Sequence, residues 1–283
     1  MRRLANVVFF SSIFISVCAA ALSLATGILL HLEIAWATAG FVFCGTLFIY
    51  NSHALYTNQQ RAQLPDSERY RWVRQNRKWL LALSFLALAA CCFLIETQST
   101  GFFIWLAHLV VLAVAYTVPV VPGKEKLRNL RSIPLLKVIL IAYVWAAVTV
   151  QLPLLHARVP LAETYSYFLL YGRFLFILAL APLFDIRDVE RDKLANVITL
   201  PALIGHAAAK AVSVILLLVF SGLVFLHYNF WFALALACSA AAAILVVVSA
   251  KPGKSERFYS GWADGMMLLQ AVLVYLAAML SDT

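Results

Sequence analysis

The sequence predicts an all-α polytopic membrane protein of about nine transmembrane helices, with its amino terminus in the cytoplasm. Composition, the spacing of apolar segments and the placement of Lys and Arg predict it. Of 283 residues, 64% are apolar and only 12% charged, where a soluble domain carries about a quarter charged residues. Apolar runs recur at 7–30, 34–53, 79–96, 102–121, 134–155, 165–184, 208–227, 230–249 and 263–281. Each is close to the ~20 residues a helix needs to cross the hydrocarbon core. Lipid offers no partner to an exposed peptide group, so such runs are helices.

The elements follow in order. Arg2 and Arg3 precede the run at 7–30. That run imitates a secretory signal but exceeds the about 7–15 residues of a signal core, so it reads as the first membrane helix. The second run, 34–53, leads into a loop at 54–78 with six cations: Arg61, Arg69, Arg71, Arg74, Arg77 and Lys78. Pro119, Pro122 and Gly123 end the fourth helix, because proline cannot continue a helix and glycine suits its end. The fifth follows a region with Lys124, Lys126, Arg128, Arg131 and Lys137, and the sixth runs into Arg187, Arg191 and Lys193. Lys251, Lys254 and Arg257 separate the last two helices. The intervening connections, near 31–33, 96–101, 156–163 and 227–229, are short and almost free of cations. Nine helices with the amino terminus inside put every basic region on one side, the cytoplasmic side by the positive-inside rule. Of the 22 Lys and Arg, only Arg158 and Arg173 then lie elsewhere.

The net charge of +9 fits an anionic membrane lipid surface as partner and not nucleic acid. The five cysteines lie inside apolar runs without metal-ligand spacing and read as packing residues. Trp36, Tyr50, Trp79, Trp231 and Trp262 stand near the ends of runs and read as interfacial anchors. No transit segment precedes the first helix, which points to a bacterial plasma (inner) membrane.

The chemistry concentrates at the end of the sixth helix. Asp185, Asp188 and Asp192 are spaced i, i+3, i+7, within about 60° of one another on a helix. If the helix continues, Asn196 and Thr199 join the same stripe. Carboxylates crowded on one face repel unless a cation sits among them, and Mg2+ is commonly held by one or two carboxylates plus substrate phosphates. The stripe reads either as a Mg2+–diphosphate site or as a solvated loop neutralised by Arg187, Arg191 and Lys193. From spacing alone both readings stand. Arg173, twelve residues earlier and so about 18 Å up the helix, should face a cavity or a partner. Asp264 reads as a helix cap or as a residue at a cavity mouth, and Trp105 and His108 as packing residues.

The stretch Asp185-Ile-Arg-Asp188-Val-Glu-Arg-Asp192, followed by Asn196-Val-Ile-Thr199-Leu200-Pro201 and Gly205, resembles the second aspartate-rich motif of the UbiA family of intramembrane prenyltransferases. Tyr116 before Pro119, then Lys124, Lys126 and Lys137, resembles that family's tyrosine-and-lysine stretch. The resemblance covers residues 1–283 as a single UbiA-like transmembrane domain. It implies helices around a central cavity, Mg2+ as cofactor, a prenyl diphosphate as donor and an aromatic or other lipophilic acceptor. It carries Asp185, Asp188 and Asp192 over as metal-binding and catalytic residues. Asn51, Tyr116, Lys137, Arg187 and Asn196 become candidate substrate contacts.

The first aspartate motif departs from the family. Asn51 is kept, but the aspartates expected at +4 and +8 are Leu55 and Gln59. Two further readings therefore stand beside the prenyltransferase: a family member that binds an isoprenoid without turning it over, and a small transporter.

Overall fold

We describe the protein from a computed structural model, over residues 2–33, 36–60, 67–95, 100–120, 122, 127, 129–133, 135–161, 163–194 and 197–281. Within these residues every regular element is a helix. A short helix α1 (Arg2–Phe10) bends by 57° into α2 (Ile13–Leu29). Then come α3 (Trp36–Gln60), α4 (Glu68–Gln75), α5 (Arg77–Leu94) and α6 (Thr100–Thr117). A 3-10 turn at Leu130–Ser132 leads into α7 (Leu136–Ala146), which widens through a π turn (Ala147–Gln151) into α8 (Leu152–His156). The rest is α9 (Thr164–Leu194), α10 (Leu200–Ile204), α11 (His206–His227), α12 (Phe230–Ser249), a second π turn (Phe258–Ala263) and α13 (Asp264–Ser281).

Among the described residues, seven helical stretches are long and apolar enough to cross a membrane, or eight if the bent α1–α2 pair is one span. The protein is an integral membrane protein. The remaining predicted segment is α3. It is 25 residues long, but its second half carries Asn51, Ser52, His53, Asn58 and Gln59. Phe85, Phe93, Ile104, Val111, Leu226 and Leu245 are more than half exposed on the outer faces, as expected where lipid and not water is the neighbour.

The helices close into a ring. α2 packs against α3 and α13, α3 against α5, α7 against α9, α9 against α11, α11 against α12 and α12 against α13. The largest buried cluster runs through α2, α7, α9, α11, α12 and α13 and is rich in alanine (Ala19, Ala25, Ala142, Ala179, Ala240, Ala243). Small side chains let membrane helices approach closely. A second cluster joins α3, α5, α6 and the α7–α8 rod through Phe41, Cys91, Phe102, Leu109, Ala147 and Leu152.

Three sequence expectations change. The basic region expected as a loop at 54–78 is partly helical: α3 runs on to Gln60, and α4 starts where the Ser67 side chain accepts a hydrogen bond from the Tyr70 N–H. Amphipathicity explains α4, since Val73 alone is buried among its arginines. The sixth predicted span is the 31-residue α9. It is about 46 Å long at 1.5 Å per residue, against a hydrocarbon core of ~30 Å. Its last turns therefore extend the membrane rod into the aspartate stretch. Finally, α9 ends at Leu194, so the stripe does not continue to Thr199, which is buried before α10. Gly205, at φ 84°, makes the corner between α10 and α11, a conformation that costs glycine little.

Candidate functional site

The ring encloses a cavity of about 310 Å³, built from α3, α4, α6, α7, α9 and α13. Its sides are apolar: Ile49, Leu112, Leu140, Val144, Trp145, Ile177, Leu180 and Met267. One end is charged, where Arg69, Arg131, Lys137, Arg187 and Arg191 meet Asp188, Glu256 and Asp264.

Helical geometry distributes the three aspartates. Asp185 and Asp192 are seven residues apart, about 20° on a helix, while Asp188 is turned some 40–60° from them. Asp185 and Asp192 accordingly share one partner, Lys137, from the first turn of α7. Its Nζ lies 2.6 Å from Asp185 Oδ1 and donates to Asp192 Oδ2 at 3.1 Å. Both carboxylates are about 1% exposed and neither lines the cavity. Asp188 does line it. Arg187 grips it as a two-pronged fork, Nε to Oδ1 at 3.0 Å and Nη2 to Oδ2 at 2.8 Å, and Arg191 Nη1 adds a contact to Oδ1 at 3.3 Å.

Further contacts hold the cations in place. Arg187 lies 5.2 Å from the Phe184 ring centroid and 5.9 Å from that of Tyr259, and Arg191 lies 5.1 Å from that of Tyr70. Such stacking favours a guanidinium over an ammonium. Arg191 Nη2 also donates to Glu256 Oε1 at 3.2 Å, and Glu256 Oε2 accepts from the Arg69 backbone N–H at 3.1 Å. From the opposite wall, Arg131 stands 3.9 Å from Asp192 Oδ1 and donates to His53 Nε2 at 3.4 Å. An accepting Nε2 leaves Nδ1 of a neutral ring as the donor, and Nδ1 meets Thr117 Oγ1 at 3.1 Å. Burial alone would pull the Arg131 guanidinium down, but Tyr116, Asp192 and Asp188 more than reverse this and hold it above its usual range.

The structure gathers Asp188, Tyr116, Lys137 and Arg187 on the cavity, with Asp185 and Asp192 directly behind Lys137. Asn51 is not on the lining. The α3 residues that line it are Ile49, Tyr50, His53, Ala54 and Thr57. Asn51 is fully buried to one side, and neither atom of its amide has a hydrogen-bond partner. Leu55, four residues on, packs with Val73 and Leu80. Asn196 lies outside the described residues. Tyr50, expected as an interfacial anchor, instead lines the cavity and accepts a hydrogen bond from Trp145 Nε1 at 3.1 Å. Trp36, Trp79, Trp231 and Trp262 are exposed, as anchors should be. His108 packs between the rings of Trp105 and Tyr143, at 4.9 and 5.7 Å.

Sequence reasoning took Arg131 and Arg69 as ordinary topology charges, offered Arg191 only as a neutralising partner of the stripe, and passed over Glu256. Asp264 it left open. The π turn before α13 brings Ser260, Ala263 and Asp264 to the lining. Among the described residues the 7%-exposed Asp264 carboxylate has no hydrogen bond or ion pair.

Against this geometry, solved structures similar to the chain are decisive for the fold. A UbiA homolog from Archaeoglobus fulgidus bound to GPP and Mg2+ superposes with a TM-score of 0.67 at 12% identity, covering 96% of this chain and 99% of that one. This chain has the UbiA fold. The same homolog bound to DMAPP and Mg2+ gives 0.65 at 12% identity, over 97% and 99% of the two chains. A structure described as digeranylgeranylglyceryl phosphate synthase gives 0.59 at 13% identity, over 99% of each. No protein-family model matches the sequence, and no curated protein does. The likeness is one of backbone architecture.

UbiA-fold structures bound to Mg2+ invite a test of the carboxylates present here. Mg2+ demands near-octahedral oxygen coordination at about 2.0–2.1 Å. Among the described residues no three His, Cys, Asp or Glu side chains are grouped to hold a metal. Asp185, Asp188 and Asp192 come from one helix, and each already faces a Lys or Arg. The facing stripe of α3 has no carboxylate. Two oxygens, Asp185 Oδ1 and Asp192 Oδ1, are buried without a hydrogen bond among the described residues, but Lys137 stands 2.6 Å from the first and Arg131 3.9 Å from the second. The residues as arranged do not fit a Mg2+ centre.

Proposed function

We propose that this protein is an intramembrane prenyltransferase of the UbiA type, which holds a prenyl diphosphate in the cavity and transfers its prenyl group to a lipophilic acceptor. The observation that carries this reading is the cavity's polarity: five Lys and Arg at one end and an apolar bore leading away from them. A prenyl diphosphate has the same division. Its diphosphate would take forked and point-charge donors from Arg187, Arg191, Arg131 and Lys137, and its chain would lie along Val144, Ile177, Leu180 and Met267. Arg187 and Lys137 thus keep the substrate-binding roles expected of them, and Tyr116 flanks the same end.

In the transfer, the C–O bond to the diphosphate breaks and its electron pair leaves with the diphosphate. The acceptor's nucleophilic atom bonds to the allylic carbon and loses a proton. Fixed cations at the leaving group stabilise the charge that grows there, and the apolar bore keeps water from the carbocation. Asp264 is the lining carboxylate without a cation partner, and we assign it the acceptor's proton. Asp185 and Asp192 act through Lys137, which they hold in place. A carrier that binds without turnover is favoured by one observation, the α3 stripe without a carboxylate, and the same experiment separates it.

The test is labelled geranyl diphosphate with a panel of lipophilic phenols, on the full chain in lipid nanodiscs. Diphosphate release with a prenylated product is the expected result. Asp264→Asn should keep geranyl diphosphate binding and lose about a hundredfold or more in transfer, as for loss of a general base. Binding without release across acceptors would replace the enzyme by the carrier. Absence of binding by folded protein would remove both.

A further inference from the structure

We infer that the cavity recognises its diphosphate by arginine and lysine without a divalent cation, and that Asp188 occupies the diphosphate's place when the cavity is empty. The inference rests on the prenyl diphosphate reading above and states how that ligand is held.

Three observations carry it. First, the carboxylates are already engaged. Lys137 bridges Asp185 and Asp192, and Arg187 and Arg191 enclose Asp188. A divalent cation placed among them would stand beside Lys and Arg, and the charge a diphosphate brings is already met by the five Lys and Arg of the lining. Second, the facing stripe on α3 cannot supply a carboxylate, because Tyr50, His53, Ala54 and Thr57 line it while Leu55 is packed against Val73 and Leu80. Third, the basic donors outnumber the acids on the lining, and Arg187 and Arg191 are stacked on aromatic rings. They are therefore pre-positioned as anion forks.

Asp188 presents two oxygens to Arg187, as a phosphate would. It is both neutraliser and competitor. An incoming diphosphate must take over those donors, and Asp188 then loses its partners. The consequence has a sign opposite to that of a metal ligand: neutralising a ligand aspartate weakens diphosphate binding, whereas neutralising a competitor strengthens it.

The experiment is equilibrium binding of geranyl diphosphate to the full chain in phosphatidylcholine nanodiscs, once in EDTA and once in Mg2+, with inorganic diphosphate as a competitor. The expected result is a Kd in EDTA within about threefold of that in Mg2+, and displacement by inorganic diphosphate. Asp188→Asn should tighten binding in EDTA by about threefold or more. Arg131→Gln, which does not touch Asp188, should weaken it by about tenfold or more, the loss expected for a charged hydrogen bond. The wild-type arm decides the matter even if Asp188→Asn fails to fold. Binding that appears only with Mg2+, or that Asp188→Asn abolishes in folded protein, overturns the inference and leaves the prenyl diphosphate reading standing. Absence of binding in both conditions overturns the two together.

Discussion

Helix α9 carries a buried cation environment at each end of its membrane course, and the two are built on opposite plans. At the carboxyl-terminal end, charges come in alternation. Lys137 sits between Asp185 and Asp192, and Arg187 and Arg191 close on Asp188. About 18 Å away along the helix, Arg173 is 2% exposed and lines a small cavity of about 20 Å³ with Phe168, Phe220, His227, Tyr228 and Gln270. Among the described residues its Nη1 has no hydrogen-bond partner, and no acidic residue lines that cavity. The space admits about one water molecule. The first plan makes each charge depend on its neighbours. The second leaves a guanidinium whose desolvation nothing charged offsets. Removing one member should therefore have opposite consequences at the two ends.

The largest expected effect is at Lys137. Lys137→Met leaves the buried Asp185 carboxylate unpaired and Asp192 with only Arg131 at 3.9 Å, and should destabilise the protein by about 3–5 kcal/mol, read as a lowered unfolding midpoint in detergent. A wild-type midpoint would mean that Asp185 and Asp192 find other partners or take up protons. At the other end, Arg173→Met should be neutral or stabilising by about 1–4 kcal/mol, since an apolar side chain of similar length replaces a desolvated charge. A clear loss of stability there would break the comparison and point to an anion or an ordered polar partner at Arg173. The smallest effect belongs to Gly172→Ala, beside Arg173. The added Cβ would meet the Phe220 ring at 3.4 Å. A modest gain in helix preference against slight crowding should leave stability within about 1 kcal/mol of wild type.

What could be read from the sequence follows the same division. The aspartate stripe was legible because helical spacing is local: residues 185, 188 and 192 share a side of any helix that runs through them. Lys137 stood out as a candidate substrate contact, but not as the partner of Asp185 and Asp192. Nothing in the chain order says that the first turn of α7 meets the end of α9. Asn51 shows the reverse case. Its place in a motif suggested a substrate contact, but the rotation of α3 turns Tyr50 and His53 to the cavity and leaves Asn51 beside it. Rotation about a helix axis is set by packing partners, here Val73 and Leu80 against Leu55. The identity of one residue cannot reveal it.

By itself the sequence determined the solvent, the class of fold and the shared face of the three aspartates. Apolar runs of bilayer length leave a chain no alternative to helices, and clustered charge at the end of one run must be neutralised somewhere. The tertiary structure decided what neutralises Asp185 and Asp192. Arg187 and Arg191 reach Asp188 along α9 itself, whereas Lys137 from α7 and Arg131 from the turn before it take the places beside Asp185 and Asp192, because ring closure brings those elements within salt-bridge distance of α9. That distance acts across elements 55 or more residues apart in sequence, so no local pattern could fix it.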